Sequence, residues 1–348
     1  MKMLNSHQSA PTRKGRRAAM RLLVRILIFL SPFWAIMVLY LIDDPFMALH
    51  RYQTYDAPTR LNENIVEWGI YQNARDAHRP FNSFILGNSC TMAFRCADWE
   101  HYLPKGSRAI RLFGNAESLA AIDAKLKALN KDKANIGNVL IILDVTAMDK
   151  DQLKSGFEYI LPAEVSGRSQ LLTQFDLLRA FFRPDFLYAY LRYKVSGKID
   201  ENSKFMNPYG RVRDSRNNDC LNPRERMIAK EGERYWEDIK QKAALRKTSV
   251  APPYIYAPQA EVLRSIASQL KRHQTSYRFI ISPDFNEVKL NPKDKQVLET
   301  IFGKQNVFDF SGKNAYSIDY HNFYESSHYR PCLGRQLLKV IYKEGRRL

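Results

Sequence analysis

Residues 26–42 carry no charged side chain. Leu22-Leu23-Val24 and a snorkelling Arg25 lengthen this stretch to about 20 residues, enough for a ~30 Å hydrocarbon core. The pattern predicts one transmembrane helix over 22–42. Pro32 is tolerable in such a helix, and Trp34 and Tyr40 suit an interfacial belt. Residues 43–80 are mixed and polar, punctuated by Pro45, Pro58 and Pro80. They read as a juxtamembrane connector with one helix near 61–73. From residue 81 short apolar runs alternate with amphipathic ones. Strands are expected at 81–86, 109–113 and 139–143, and helical segments at 91–102 and 117–130. The second helix puts Leu119, Ile122, Leu126 and Leu129 on one face. The fully apolar run 139–143 suits a buried parallel strand. This order predicts an α/β domain over 81–348 with right-handed crossovers.

Residues 150–250 break the rhythm and are expected to form a helical insertion capping the sheet edge. Within it, 171–194 reads as one aromatic-rich helix whose stripe suits either core or an acyl-chain or membrane-facing surface. Residues 207–223 read as a long loop and 224–245 as a charged helix. The α/β pattern resumes at 257, with helices at 259–273, 292–302 and 333–342. Strands are expected at 277–282 and 306–310, and a loop over 317–331.

Charge orients the anchor. The chain has 348 residues and a formal net charge of +18. No acidic residue precedes Asp43, whereas Lys2, Arg13, Lys14, Arg16, Arg17, Arg21 and Arg25 do. Residues 1–21 therefore read as a basic cytoplasmic tail, and the remainder as exported across the inner membrane by a single pass. No small-x-small cleavage site follows the apolar run, which favours a retained anchor over a signal peptide. The exported part is still basic. That suits a solvated surface or attraction to an anionic polymer or membrane. No nucleic-acid module is visible, so nucleic acid is not an expected partner.

The candidate chemistry lies in two distant segments. A strand-like Phe84-Ile85-Leu86 runs into Gly87-Asn88-Ser89-Cys90, placing a hydroxyl on a tight turn after a buried strand. Near the C-terminus, Glu325 precedes His328 by three residues. Serine is a weak nucleophile that needs a base and a group orienting the base, and these residue types supply both. Asp319 is an alternative orienting acid. Arg95 and Arg330 lie beside the two segments and suit an anionic acceptor or, more plainly, a charged surface. Each segment alone reads as an ordinary turn or a surface histidine; their pairing carries the functional reading. Cys90 and Cys96, if helical, are ~9 Å apart and cannot bridge, which leaves Cys220 with Cys332 as the more plausible disulfide. No metal-ligand spacing occurs, and no metal or cofactor is expected.

At these residues the chain resembles the SGNH/GDSL hydrolase superfamily. Gly87-Asn88-Ser89 matches that family's first block. Glu325-Ser326-Ser327-His328 matches its last block, with Glu in place of Asp. Gly114 fits the second-block glycine. The third block, Gly-x-Asn-Asp, is not met, because the third strand ends in Leu143-Asp144-Val145-Thr146. The resemblance implies a flavodoxin-like parallel sheet, a Ser89–His328–Glu325 triad and an oxyanion held by the Ser89 and Gly114 N–H groups. Asn115 or Thr146 would stand in for the missing side-chain donor. With its single anchor the chain looks similar to the membrane-anchored subgroup that includes teichoic acid D-alanine transfer and polysaccharide O-acetylation proteins. That likeness implies a serine-dependent O-acyltransferase or acyl esterase acting on an anionic or neutral cell-envelope polymer. It also implies a separate multi-span membrane acyltransferase as donor partner. A non-catalytic envelope protein of the same fold, binding glycan or that partner, is the alternative.

Overall fold

In the computed structural model, residues 13–198, 206 and 212–344 are described. The chain divides into an N-terminal unit, Met1–Pro45, and a second unit, Phe46–Leu348. The first is built on helix α1 (Arg13–Asp43). Over Arg16–Asp43 this helix is long and apolar enough to cross a membrane, with mean hydropathy reaching 2.4. It starts earlier than the expected anchor, so the arginines before residue 22 lie on its first turns.

The second unit opens with α2 (Glu63–Asp76), β1 (Ser83–Gly87), α3 (Cys96–Glu100), β2 (Ala109–Phe113), α4 (Leu119–Lys131) and β3 (Asn138–Leu143). The insertion follows, with α5 (Ala163–Ser166), α6 (Gln170–Phe181), α7 (Pro184–Ser196), β4 (Val212–Asp214), β5 (Asp219–Leu221), α8 (Arg224–Glu231) and α9 (Glu237–Ala244). The second half comprises β6 (Ser249–Val250), α10 (Ala257–Arg272), β7 (Ser276–Ile281), β8 (Val288–Lys289), α11 (Pro292–Phe302) and β9 (Val307–Asp309). It closes with α12 (Ala315–Ile318), β10 (Phe323–Glu325), β11 (His328–Tyr329) and α13 (Pro331–Glu344).

Five of these strands form one parallel sheet in the order β2-β1-β3-β7-β9. Counted along the chain, that is the flavodoxin-like order 2-1-3-4-5, whose reversal point lies between its first and third strands. Alternation along the strands separates two cores. Phe84, Leu86, Leu112, Ile141 and Phe279 face α2, α4, α10 and α11. Ile85, Leu140, Ile142 and Ile280 face α3 and α13, together with Trp236 and Ile239 of the insertion. Both faces are covered, which is why the central strands read as unbroken apolar runs.

Several expectations are corrected. Residues from Phe46 onward belong to the α/β unit and are not a separate connector, because α2 lays Val66, Trp68 and Ile70 on the sheet. The expected helix at 171–194 is two helices. Pro184 starts the second one and leaves Arg183 extended (ψ 129°), as a residue before proline prefers. The helix at 224–245 is interrupted at Gly232, whose φ is 59°. Part of the expected 207–223 loop is the β4–β5 hairpin, turned through Asn218 at φ 60°; residues 207–211 lie outside the described residues. None of the four cysteines forms a disulfide. Cys220 packs with Phe113 and Met92, while Cys332 sits in the first turn of α13.

One buried charge cluster ties the sheet to its helices. Lys125 Nζ lies 2.7 Å from Glu67 Oε1 and also bonds Glu117. One ammonium cannot neutralise two buried carboxylates. Burial pushes the Glu67 carboxyl up to about 8, against the lowering pull of Lys125 and reinforced by Glu117. The folded protein thus holds a proton that the unfolded chain releases near the usual carboxylate pKa. Between about pH 4.5 and about 8, stability should fall as pH rises, at up to about 1.4 kcal/mol per pH unit. Denaturant melts of Glu67→Gln across that window should show a flatter decline than wild type. An identical pH slope in the two proteins would refute this assignment.

Candidate active site

The site forms where β1 and β3 end. Gly87 leaves β1 at φ 141°, and a Cβ there would stand 1.9 Å from the Ile142 carbonyl oxygen. Only glycine lets the chain turn so close to β3. Asn88 then directs the turn. Its Oδ1 accepts from Cys90 N–H at 3.0 Å, and its Nδ2 donates to Asp144 at the end of β3. The expected helix at 91–102 is replaced here by a 3-10 turn, Ser89–Ala93, and the short α3. Ser89 opens that turn. Its N–H donates to no protein group among the described residues.

The second segment folds into the β10–β11 hairpin, which pairs Glu325 with His328 across the strands. His328 Nε2 lies 2.9 Å from Ser89 Oγ, although 239 residues separate them. His328 Nδ1 lies 2.5 Å from Glu325 Oε1. Burial alone would raise the Glu325 carboxyl. The His328 hydrogen bond and charge, with Arg224 and the Ser327 N–H, overcome burial and hold it below the usual carboxylate range. An ionised carboxylate only accepts, so Nδ1 carries the proton. In the neutral ring Nε2 is then free to accept from the Ser89 hydroxyl.

The insertion and the last helix brace this hairpin. Arg224 Nη1 stands 3.4 Å from Glu325 Oε1. Glu225 accepts from Tyr324 OH at 2.7 Å and from Arg330 Nε and Nη2, both at 2.9 Å. Burial opposes ionisation of Glu225, but Arg330 and Tyr324 keep it below the ordinary range. Tyr235 OH and Trp236 Nε1 donate to the Tyr324 and Phe323 carbonyls. From behind, α13 presses on the Ser89 turn so tightly that a Cβ at Gly334 would meet the Ala93 carbonyl at 1.9 Å. Sequence reasoning missed Glu225 and Gly334. Neither falls in a recognisable block, and only their spatial neighbours reveal what they do.

Other expected members are placed differently. Asp319 accepts from the His321 N–H at 3.0 Å and contacts its Nδ1 at 2.8 Å, so it pairs with His321 instead of His328. The Gly114 N–H donates to the Gly87 carbonyl at 3.2 Å, with the Glu117 carboxylate directly beneath. Gly114 and Asn115 are not among the residues lining the small cavity at Ser89. Thr146 Oγ1 donates to Asp144 at 2.5 Å, and Asp144 also accepts from Ala147 N–H. Cys90, next to the serine, is no rival nucleophile, because burial and then the Asp144 charge push its thiol pKa far up. Arg330 is committed to Glu225 and stacks 5.3 Å over Trp236. Arg95 lines the Ser89 cavity.

Comparison with protein-family models, curated proteins and solved structures gives no match.

The bond from Asn88 to Asp144 explains why asparagine sits in the turn. Aspartate there would set two carboxylates against each other and lose the donated hydrogen bond. Asn88→Asp should cost about 1–3 kcal/mol at neutral pH and recover part of that loss on acidification. Thermal melts at two pH values check this, and unchanged stability would refute it.

Proposed function

We propose that the protein is a membrane-anchored, serine-dependent O-acyltransferase or acyl esterase of the SGNH type, acting on a cell-envelope polymer. The observation that carries this reading is the continuous Ser89–His328–Glu325 hydrogen-bond chain at the reversal point of the sheet, where doubly wound folds place their ligands. Ser89 Oγ attacks the donor ester carbonyl as His328 Nε2 takes its proton. The tetrahedral intermediate collapses with loss of the donor alkoxide, which receives that proton. A polymer hydroxyl or water then attacks the acyl-serine, gives its proton to His328, and Ser89 regains it on leaving. Glu325 orients the ring and stabilises its cationic form. In this reading the Ser89 N–H donates to the oxyanion.

The anchor reading assigns the N-terminus to the cytoplasm and the α/β unit to the far side of the inner membrane. A multi-span membrane acyltransferase would supply acyl groups across that membrane. A non-catalytic SGNH-fold envelope protein is the second reading. It is favoured by the Gly114 N–H and Thr146 hydroxyl both being engaged within the protein.

A fluorophosphonate probe should label the full-length protein in detergent and fail on Ser89→Ala. Labelling that persists in that variant, or is absent from wild type, would sink the enzyme reading. Turnover of a small activated ester by Glu325→Gln should fall by about 10²–10⁴-fold; an unchanged rate would remove Glu325 from the machinery. A C-terminal alkaline phosphatase fusion should be active and a cytoplasm-only reporter silent. The reverse pattern would refute export.

A further inference from the structure

The cavity at Ser89 and His328 is very small, about 10 Å³, room for little more than one water-sized group. It can admit the end of a substrate but not an acceptor chain. Beside it lies a cleft of about 870 Å³, at the upper end of the usual range for ligand sites. Arg95 and Leu221 line both spaces. The cleft is therefore the adjoining space large enough to deliver an acceptor to the serine.

Its walls come from outside the sheet. One wall is the segment from Thr54 to Glu63, the other the β4–β5 hairpin. The two are joined where Tyr55 N–H donates to Ser215 Oγ at 3.1 Å and where Arg213 Nη2 meets Glu63 Oε2 at 2.5 Å. The hairpin is fastened to the sheet edge. Arg111 of β2, fully buried, donates 2.6 Å bonds to the Asp219 carboxylate and the Phe94 carbonyl. Asn218 Nδ2 donates 2.8 Å to the Arg111 carbonyl. The walls are thus built parts of the fold.

The lining identifies the ligand class. Its charges are mostly paired: Arg213 with Glu63 and Arg216 with Asp214 at 2.7 Å within the lining, and Arg60 with Glu158 beyond it. Asp219 is committed to Arg111. Among the described residues, lining acids and bases are equal in number, Asp56 and Arg95 completing the set. These residues carry no excess positive charge for an anionic polymer, despite the basic chain. Long acyl chains find only scattered apolar groups such as Ala57, Leu61 and Val212. Paired forks and the hydroxyls of Thr54 and Ser215 offer donors and acceptors side by side, which suits sugar hydroxyls. At the junction with the serine, Arg95 Nε is buried without a hydrogen-bond partner among the described residues.

We propose that this cleft binds a neutral, hydroxyl-rich oligosaccharide segment and presents one of its hydroxyls to Ser89 past Arg95. The role as acceptor site rests on the acyl-transfer reading; binding itself does not. The test uses full-length Ser89→Ala protein in detergent on an array of purified neutral and anionic oligosaccharides of several sugars. The expected result is retention of at least one neutral oligosaccharide, little changed between about 0.05 and about 0.5 M salt, over which exposed charges become screened. Adding Asp56→Trp or, from the opposite wall, Val212→Trp should weaken that binding by about tenfold or more, worth about 1.4 kcal/mol. Matched thermal melts show that each variant is folded, and either folded variant suffices. Retention of no neutral oligosaccharide, equal binding by a folded plugged variant, or binding of anionic chains alone that collapses with salt would each overturn the proposal. Fluorophosphonate labelling of Ser89 is read separately, so loss of the enzyme reading and loss of the cleft proposal give different results.

Discussion

The site depends on the contact between the end of β1 and the Ile142 carbonyl of β3. A left-handed glycine is needed there because no side chain fits between the strands. With Gly87 in place, Asn88 can reach Asp144, and that bond sets the direction in which the next residue leaves the sheet. Ser89 then opens a 3-10 turn instead of extending the strand. The position of His328 would have no chemical meaning without this exit geometry. The Gly87 contact is made by backbone alone, so it constrains shape without limiting what the pocket binds.

A second layer of order comes from outside the doubly wound core. Helix α8 contributes Arg224 to the Glu325 carboxylate and Glu225 to Tyr324 and Arg330. The insertion therefore braces the hairpin bearing His328, while its β4–β5 hairpin walls the neighbouring cleft. One link from these elements to the sheet is the buried Arg111–Asp219 pair. Removing one partner of such a pair would strand a charge in the interior, a cost of several kcal/mol. The hairpin that lines the cleft and the helix that braces His328 are thus mechanically linked.

The sheet and most of its helices could be read from the sequence because buried parallel strands announce themselves as apolar runs, as 139–143 does. Ser89, His328 and Glu325 were legible because each sits at a strand end or in a short motif. The β4–β5 hairpin was not. Its strands are three residues long, half-exposed and polar, and their order comes from Arg111 and Asn218 on the sheet edge. The bond from the Gly114 N–H to the Gly87 carbonyl, with the Glu117 carboxylate close by, was not legible either. Local pattern reports which face of an element is buried. It does not report which distant polar group claims a given N–H.

Helix α13 follows His328 directly and closes against Ala93 through Gly334. The Ser89 turn therefore takes its neighbouring ring and its backing from segments that follow it by 239 residues or more. During synthesis the segment bearing Ser89 is complete long before either arrives. Until residues 325–344 have emerged and docked, the Ser89 hydroxyl lacks the His328 ring beside it and α13 behind its turn.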